Sequence, residues 1–270
     1  MNEYRPRRSA LFLPASNARA IQKARDLPVD VVILDLEDAV APEAKLDARN
    51  AVVAAISEGF GGRELVVRVN ALDTPWGKDD LAAVIASGVT VLAPKVRTAQ
   101  DVAAYASRLT RTKLWLMIET CEALGRLQDI ADAGARGFVL GVNDLALELG
   151  ARPGAERAWL APVQLQVLAA ARSRGAVAID GVCNDFTDDA RLTSECVAAA
   201  AMGYDGKSLI HPRQIDLCHA AFAPSLSEIA WASQVRDAFA GGDGGVIQVA
   251  GKMVEALHLA QAQRILGVTK

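Results

Sequence analysis

Charged and polar side chains follow several apolar runs of this sequence, at the point where each run ends. The run DVVILDLED closes on the carboxylates of Glu37 and Asp38, and the run LWLMIET closes on that of Glu119. Such groups are costly to bury unless they are paired or ligated, so their repeated placement indicates a shared polar site. The residues in these positions are Asp35, Glu37, Asp38, Arg68, Asn70, Lys95, Glu119, Asn143 and Asp144.

Glu119 and Asp144 end consecutive apolar runs, so their carboxylates are expected to approach one another. Two anionic oxygen ligands beside open positions are what Mg²⁺ favours, because this small ion keeps several waters and takes its other oxygens from substrate. A cation bound there can polarise a carbonyl and stabilise an enolate. The alternative is structural: Glu119 pairs with a nearby cation, and Asp144 caps the helix that follows it.

The cations at these run ends allow two interpretations each. Arg68 suits bidentate binding of a substrate carboxylate, and its alternative is a salt bridge to Glu37 or Asp38. Lys95 is predicted to partner the surrounding acids rather than to form a Schiff base with a keto acid. Asn70, on the same run as Arg68, is assigned with Lys95 to substrate binding. Glu37 and Asp38 are predicted to hold loops or metal-bound waters rather than to transfer protons.

Two further segments carry candidate residues. In the first predicted strand-to-helix turn, Ser16 is a candidate N-cap, and Arg19 and Lys23 follow on the helix. That turn could receive a phosphate group, and the alternative is a solvated basic face. The segment GKSLIHPRQID places Lys207 and His211 near the same end of the sheet, where His211 is assigned to helix capping.

The elements that must position these residues alternate regularly along the chain. Eight short runs rich in Val, Ile and Leu are separated by segments of helical periodicity, and near-continuous apolar character is typical of strands in a parallel sheet covered by helices. Eight such units in 270 residues predict an α/β fold, a closed (β/α)₈ barrel whose catalytic groups lie at the carboxyl ends of the strands. An open doubly wound sheet is the alternative, but the first turn, LPASNAR, lacks the glycine-rich fingerprint of that fold. The runs are SALFLPAS, DVVILDLED, ELVVRVN, VTVLAPKV, LWLMIET, GFVLGVND, AVAIDGV and YDGKSLI.

The C-terminal segment departs from this pattern. We assign residues 1–224 to the barrel and 225–270 to an extension. The extension has an amphipathic helix, a turn at GGDGG, a hairpin at VIQVAGKMV and a last helix. Because the barrel does not need this segment, we expect it to pack at the mouth of the active site or at a subunit interface.

Composition excludes several classes of protein. The chain has 29 basic and 32 acidic residues and a net charge of −3, without the basic patch of a nucleic-acid-binding protein. No apolar segment is long enough to span a membrane, and the N-terminus lacks a signal peptide, so a cytoplasmic location is predicted. The cysteines and histidines show no zinc-binding spacing, and buried free thiols are predicted for Cys121, Cys183, Cys196 and Cys218.

The order and spacing of these motifs resemble one known family from about Arg8 to the C-terminus. The segments RSALFLPAS, VILDLEDAVAPEAKLDAR, RVNALDTPWGKDDL, APKV, MIET, GVNDLALELG, IDGV with the DF that follows it, and GYDGKSLIHPRQI are similar to those of citrate lyase beta-subunit-like proteins of the HpcH/HpaI aldolase superfamily. Members are (β/α)₈ barrels, usually trimers or hexamers, that cleave or form a carbon–carbon bond next to a CoA thioester with Mg²⁺.

The resemblance implies roles for individual residues. Glu119 and Asp144 are expected to ligate Mg²⁺, Arg68 to bind the substrate carboxylate or carbonyl, and the first turn, with Lys23, to meet the CoA phosphates. In relatives acting on malyl-CoA or related thioesters, a motif like GKMID donates an Asp across the subunit interface as acid/base. Here GKMVE carries Glu255, whose longer side chain changes the reach of the carboxylate.

These arguments predict a Mg²⁺-dependent lyase that cleaves a 3-hydroxyacyl-CoA such as citryl-CoA or malyl-CoA. Two alternatives are a pyruvate-dependent aldolase acting on free 4-hydroxy-2-oxo acids and an acyl-CoA-binding subunit of a larger lyase complex. A homotrimer or hexamer is expected, with partner lyase subunits in the complex alternative.

Overall fold

A computed structural model describes residues 5–109, 113–152, 157–240 and 245–268. Within it the eight predicted runs form eight parallel strands that close into a barrel in sequence order, with the last strand pairing to the first. This confirms the predicted (β/α)₈ fold. The strands are β1 (Ser9–Pro14), β2 (Val31–Asp35), β3 (Glu64–Arg68), β4 (Thr90–Ala93), β5 (Leu114–Ile118), β6 (Gly137–Leu140), β7 (Val177–Asp180) and β8 (Gly206–Leu209).

Helices follow the strands and cover the barrel, with glycines ending some of them. Gly203, the C-cap of the helix that ends at Met202, has φ +109°, a left-handed conformation that favours glycine. The helices of this region are α1 (Ala18–Ala24), α2 (Lys45–Glu58), α3 (Gly77–Ile85), α4 (Ala99–Ala106), α5 (Cys121–Leu124), α6 (Leu127–Asp132), α7 (Val142–Glu148), α8 (Ala161–Ser173), α9 (Asp189–Met202) and α10 (Ile215–Phe222).

The strands alternate in a way that links the core to the site. Side chains two apart on a strand share a face, and Val31 and Ile33 belong to one buried apolar cluster with Trp115 and Met117. At the same two-residue spacing, Asp35 follows Ile33 at the end of β2 and Glu119 follows Met117 just past β5. The face that packs the apolar cluster therefore carries carboxylates at its carboxyl end.

The chain divides into two compact units, one of them Arg7–Ala221. The other is formed from the described residues of Met1–Pro6 and Phe222–Lys270. This second unit contains the predicted elements, with helix α11 (Leu226–Ala240), a hairpin of β9 (Ile247–Val249) and β10 (Lys252–Val254), and helix α12 (Ala256–Val268). The predicted turn at GGDGG lies mostly outside the described residues.

The hairpin of the second unit turns through two residues, Ala250 and Gly251, both at positive φ. Two residues at positive φ give the backbone twist that a tight hairpin needs. Val235 of α11, Val249 and Val254 of the hairpin and Ala262 of α12 share a small apolar core. The placement of this unit at a mouth or interface stays a prediction.

The four cysteines are free thiols, and Cys183, Cys196 and Cys218 are buried as predicted. The predicted burial is wrong for Cys121, which is half-buried because it stands at the start of the short helix α5, whose buried residue is Ala123.

Candidate active site

The guanidinium of Arg68, at the end of β3, is surrounded by carboxylates. Its Nε and Nη2 donate to the two oxygens of Asp35 at 2.7 and 2.6 Å, and its Nη1 lies 2.9 Å from Glu37. The ring of Phe12 stacks under it at 5.1 Å. Burial alone would lower the pKa of Arg68, but the hydrogen bonds and charge of Asp35 outweigh it and raise that pKa. The alternative interpretation of Arg68, a salt bridge to Glu37, is thus present, although the main partner is Asp35, one strand away; binding of substrate by Arg68 stays a prediction.

Glu37 and Asp38 differ in environment although they are neighbours in sequence. Burial raises the pKa of Glu37 to about 8, against the opposing charge of Arg68. Its Oε2 makes no hydrogen bond of acceptable geometry among the described residues. The side chain of Asp38 is 57% exposed at the rim, 3.8 Å from Arg68. The two therefore surround Arg68 from the buried and the exposed side.

Lys95 contacts both predicted metal ligands, Glu119 and Asp144. Its φ of +51° is left-handed, an uncommon conformation for a residue with a side chain. The backbone N–H of Lys95 donates to Glu119 Oε1 at 2.7 Å, while its ammonium donates to Asp144 at 2.6 Å and lies 3.8 Å from Glu119. Burial would lower its pKa, but the charge of Glu119 and the hydrogen bond to Asp144 raise it. The predicted pairing of Lys95 with nearby acids is confirmed.

Glu119 has the features of a metal ligand. It is fully buried, and its second oxygen, Oε2, has no hydrogen-bond partner in the described structure. Burial raises its pKa, against the charge of Lys95. The backbone of Gly141 presses against it, since a Cβ there would lie 2.3 Å from Glu119 Cβ and 2.6 Å from Oε2. An unpaired buried carboxylate oxygen that is held in place this tightly fits a cation that would neutralise it.

Asp144 lies close to Glu119 and completes a two-carboxylate pair. It is in the first turn of α7, yet its carboxylate binds Lys95, and α7 has no side-chain cap. The capping alternative for Asp144 is therefore wrong. No group of three or more His, Cys, Asp and Glu side chains suited to a metal occurs among the described residues. A cation here would have two protein carboxylates and would take its remaining oxygens from elsewhere, a pattern that suits Mg²⁺.

These side chains border a cavity of about 330 Å³ at the carboxyl ends of the strands. Arg68, Glu119 and Asp144 all reach its wall, as predicted, whereas Lys95 borders a neighbouring cavity. The wall consists of Phe12, Asp35, Asp38, Ala39, Arg68, Met117, Glu119, Leu140, Gly141, Val142, Asn143, Asp144, Val182, Ser208 and Ile210.

A buried polar network beneath the site was missed by the sequence analysis. Lys45 of α2 donates through Nζ to the backbone oxygens of Leu36 and Glu37 and to Asn70 Oδ1, at 2.7 to 2.8 Å. Asn70 Nδ2 donates to Leu36 O and to Asp80, which is fully buried. Asn70 is thus committed to internal hydrogen bonds and does not line the cavity, so we reassign it from substrate binding to support of the site.

The first strand-to-helix turn differs in detail from the prediction. The N-cap of α1 is Asn17, whose Oδ1 accepts from the N–H of Ala20 at 3.0 Å, so the assignment of Ser16 as N-cap is wrong by one residue. Ser16, Arg19 and Lys23 are exposed and lie outside the wall of the cavity. Their contact with a phosphate stays a prediction.

Lys207 is buried between the barrel sheet and the helices that cover it rather than at the mouth. Its ammonium lies 2.8 Å from Asp180 and 3.0 Å from Glu195, and all of its side chain is out of solvent. The placement of Lys207 near the mouth is wrong, because its position within β8 turns it toward these acids. His211 accepts a hydrogen bond from the N–H of Arg213 and stacks on Phe186, which confirms its capping role.

Glu255 belongs to the second unit, between β10 and α12. Its backbone oxygen accepts from the N–H groups of His258 and Leu259, and its own N–H donates to His258 Nδ1. The residue therefore begins α12, and its predicted acid/base role stays a prediction. No described helix has the length and apolar character that crossing a membrane would require.

Three comparisons relate this chain to known proteins. Residues 8–212 match the HpcH/HpaI aldolase/citrate lyase family. The chain is 41% identical over 267 residues to a (3S)-malyl-CoA thioesterase of Cereibacter sphaeroides, covering 97% of this chain and 94% of that protein. It is 37% identical over 280 residues to citrate lyase subunit beta of Escherichia coli, covering 97% and 93%.

A solved structure extends the likeness to three dimensions. The CitE protein of Mycobacterium tuberculosis, in complex with magnesium, acetoacetate and coenzyme A, superposes with a TM-score of 0.82 at 33% identity. The match covers 98% of this chain and 99% of the other. The similarity thus extends over nearly the whole length of both chains.

Proposed function

This chain belongs to the HpcH/HpaI aldolase/citrate lyase family, and we propose that it is a Mg²⁺-dependent lyase of 3-hydroxyacyl-CoA thioesters, with citryl-CoA and malyl-CoA as candidate substrates. The observation that carries the proposal is the buried, unpartnered Oε2 of Glu119 in the cavity wall beside Asp144. Lys95 contacts only Oε1 of this carboxylate, so the buried Oε2 remains open to a cation. The magnesium in the structure of the CitE relative supports the choice of ion.

In this proposal Glu119 and Asp144 hold the cation. When bound, Mg²⁺ supplies Lewis-acid polarisation of a carbonyl oxygen and stabilisation of an enolate. Arg68 binds the substrate carboxylate or carbonyl, and Lys95 orients both carboxylates through its backbone N–H and its ammonium. Orientation of this kind contributes directly to rate, because a misplacement of about 1 Å can cost ~100-fold.

Cleavage requires removal of the proton from the substrate hydroxyl group. The carbon–oxygen bond then becomes a carbonyl, the bond between that carbon and the carbon next to the thioester breaks, and the thioester enolate takes up a proton. We propose Glu255 of a neighbouring chain as the base, in a homotrimer or hexamer. Glu37 and Asp38 support the site around Arg68.

The CoA moiety is proposed to meet the first strand-to-helix turn. Ser16 and Lys23 are exposed there, and α1 begins two residues after Ser16, at Ala18. Helix N-termini and basic side chains suit phosphate groups. Activity on CoA-free 4-hydroxy-2-oxo acids, unaffected by Lys23→Ala, would favour the aldolase alternative instead.

A second candidate function is hydrolysis of the thioester of malyl-CoA. The observation in its favour is the 41% identity to a relative named (3S)-malyl-CoA thioesterase. The products distinguish the two candidates, because a lyase releases acetyl-CoA and an oxo acid, whereas a thioesterase releases free CoA and malate. A third, the acyl-CoA-binding subunit, is favoured by the identity to citrate lyase subunit beta and would bind acyl-CoA without turnover.

The test measures acetyl-CoA and free CoA released from citryl-CoA and malyl-CoA, with and without EDTA. We expect acetyl-CoA release that EDTA abolishes and that Glu119→Gln lowers by at least about 100-fold. Glu122→Gln is the matched control, because Glu122 is exposed on α5 and pairs only with Arg126 among the described residues. Activity that survives both EDTA and Glu119→Gln would contradict the metal role.

A further inference from the structure

A second cavity lies beside the candidate active site, at the carboxyl ends of β6 and β7. Its volume is about 300 Å³, at the lower end of the range for small-molecule sites. Arg152, Arg157 and Arg191 border this cavity, which we call the arginine cavity. None of the three belongs to the described wall of the first cavity, which contains Glu119 and Asp144. The two cavities therefore offer different groups to a ligand.

The walls of the two cavities differ in the sign of their charge. Four acidic side chains and Arg68 border the first cavity, whereas three arginines and Glu195 border the arginine cavity among the described residues. Asn143 borders both, and its amide exchanges hydrogen bonds with that of Asn184 at 2.6 and 3.3 Å. Without a bound metal ion, an anion is therefore disfavoured in the first cavity and favoured in the arginine cavity.

The base of the arginine cavity is a balanced ionic network. Arg157 binds the two oxygens of Asp180 at 3.0 and 3.1 Å and Glu195 at 2.6 Å. The buried ammonium of Lys207 lies 2.8 Å from Asp180 and 3.0 Å from Glu195. Burial alone would raise the pKa of Asp180, but the charges of Lys207 and Arg157 lower it. Two cations and two acids thus offset one another beneath the cavity.

Two arginines at the cavity remain available to a ligand. Arg191 lies 3.2 Å from Glu195, but that carboxylate is already shared with the two buried cations, and the Arg191 side chain is 42% exposed. The acids nearest to it in sequence, Asp185 and Asp188, accept backbone N–H groups in their own turns. Arg152 is exposed and forms no ion pair within the described part of the chain. Both guanidinium groups can therefore bind an anion that enters from solvent.

Apolar side chains face the same space. Leu147 of α7 is 82% exposed although it borders the cavity, and the indole of Trp159 is half-buried in the wall. A leucine and an indole next to two guanidinium groups suit a ligand that combines an anionic group with an apolar body. Arginine forks bind carboxylate and phosphate oxygens in pairs, and an aromatic ring covers carbon.

We propose that the arginine cavity is a second ligand site, which binds a small organic anion without Mg²⁺. The ligand carries one carboxylate or phosphate group on an aromatic or branched apolar body. Arg152 and Arg191 bind the anionic group, and Leu147 and Trp159 contact the apolar body. This site is independent of the proposed lyase chemistry, because its cations lie outside the described wall that contains the proposed metal ligands.

Calorimetry of the full-length protein in EDTA tests the proposal with three probes: benzoate, phenyl phosphate and the neutral benzyl alcohol. We expect saturable binding of at least one anion, at least about tenfold tighter than that of benzyl alcohol. The tighter of the two anions identifies the preferred anionic group. If neither anion binds with a Kd below about 10 mM, the proposal is overturned.

Arginine variants locate the bound anion. We expect Arg152→Gln and Arg191→Gln each to weaken binding by about tenfold, because each removes a charge-assisted hydrogen bond. Arg126→Gln is the matched control, since Arg126 pairs with Glu122 four residues away at 3.2 Å, just as Arg191 pairs with Glu195. Affinity that is unchanged in both test variants, or lost instead in Lys23→Ala, contradicts a site in this cavity.

A change in the apolar wall gives a second, independent test. Leu147→Glu adds an anion to the cavity at a position where the exposed side chain contributes little to folding. Leu149→Glu is the control, because Leu149 is 48% exposed at the end of the same helix and lies outside the described wall. We expect only the first variant to weaken anion binding, by about tenfold or more. A folded Leu147→Glu protein with wild-type affinity would refute the assigned position of the ligand.

Discussion

The fit between Gly141 and Glu119 gives the sharpest prediction for this site. A Cβ on residue 141 would lie 2.3 Å from Glu119 Cβ, 2.6 Å from Oε2 and 3.1 Å from Met117 Cε. Non-bonded carbon atoms prefer a separation of about 3.5–4.0 Å, so the Gly141→Ala variant forces a displacement of roughly 1 Å. Glu119 cannot stay where it is, since its Oε1 is also held by the N–H of Lys95.

The expected magnitudes follow from this displacement. Overpacking a buried contact costs about 1–3 kcal/mol, which lowers the Tm of a chain of this size by about 2–12 °C. A shift of about 1 Å in a catalytic ligand is expected to lower kcat/KM by ~100-fold. Because Glu119 is a proposed ligand, the affinity for Mg²⁺ is expected to weaken by at least about tenfold.

Three measurements check the Gly141→Ala prediction: thermal unfolding, calorimetric titration with Mg²⁺, and release of acetyl-CoA. Gly125→Ala is the matched control, because Gly125 has φ −72° and a Cβ there would meet Glu122 O at an ordinary 3.6 Å. The control should differ from wild type by less than about 0.5 kcal/mol. A folded Gly141→Ala protein with wild-type metal affinity and turnover would refute the role of this contact.

Three further predictions concern buried polar groups. Lys45→Met leaves Asn70 Oδ1 without its donor, whereas Leu36 O keeps that of Asn70 Nδ2 and Glu37 O that of Val40 N–H, so we expect a loss of about 1–3 kcal/mol in urea unfolding; an unchanged midpoint would contradict this. Lys207→Met removes the buried cation between Asp180 and Glu195 and should cost about 3–5 kcal/mol, seen as a large fall in Tm. Burial lowers the pKa of His219 from 6.5, so the unfolded chain gains its proton first as the pH falls. The free energy of unfolding should therefore decline below about pH 6.5. Urea unfolding at pH 7.5 and 5.5 should show this decline in the wild type and a smaller decline in His219→Gln.

The barrel could be predicted from sequence because its signal is strong and repeated. Eight apolar runs without alternation are typical of strands covered on both faces, and each became a strand of the closed sheet. The convergence of Arg68, Glu119 and Asp144 followed from the same rule, since parallel strands bring their carboxyl ends to one mouth. The sequence alone therefore predicts the fold and the main charged residues of the site.

The supporting network was harder to predict because its partners are distant in sequence. Lys45 reaches Asn70 across 25 positions, and Asp80 binds Arg49 across 31. A signal was present nonetheless, since Asp80 shares the buried face of α3 with Leu81 and Val84. A charged residue on an otherwise apolar helical stripe indicates a buried polar partner.

Local backbone geometry explains the other differences. Ser16 and Asn17 are both good capping residues, and sequence alone does not choose between neighbours of equal preference. The positive φ of Lys95 has no sequence signature, because glycine or asparagine usually marks such a position. Yet this conformation lets the N–H and the ammonium of Lys95 reach two different carboxylates.

The strained backbone of Lys95 and the glycine at position 141 act on Glu119 from opposite sides. Lys95 fixes Oε1 through a backbone hydrogen bond, and the absence of a Cβ at Gly141 leaves the space that the side chain occupies. Both features carry a cost in conformational freedom, and neither improves the packing of the barrel. A backbone that holds a buried carboxylate with one unpaired oxygen is expected where that oxygen binds a ligand. The same geometry therefore supports Glu119, more than any other acid in the wall, as the anchor of the proposed metal site.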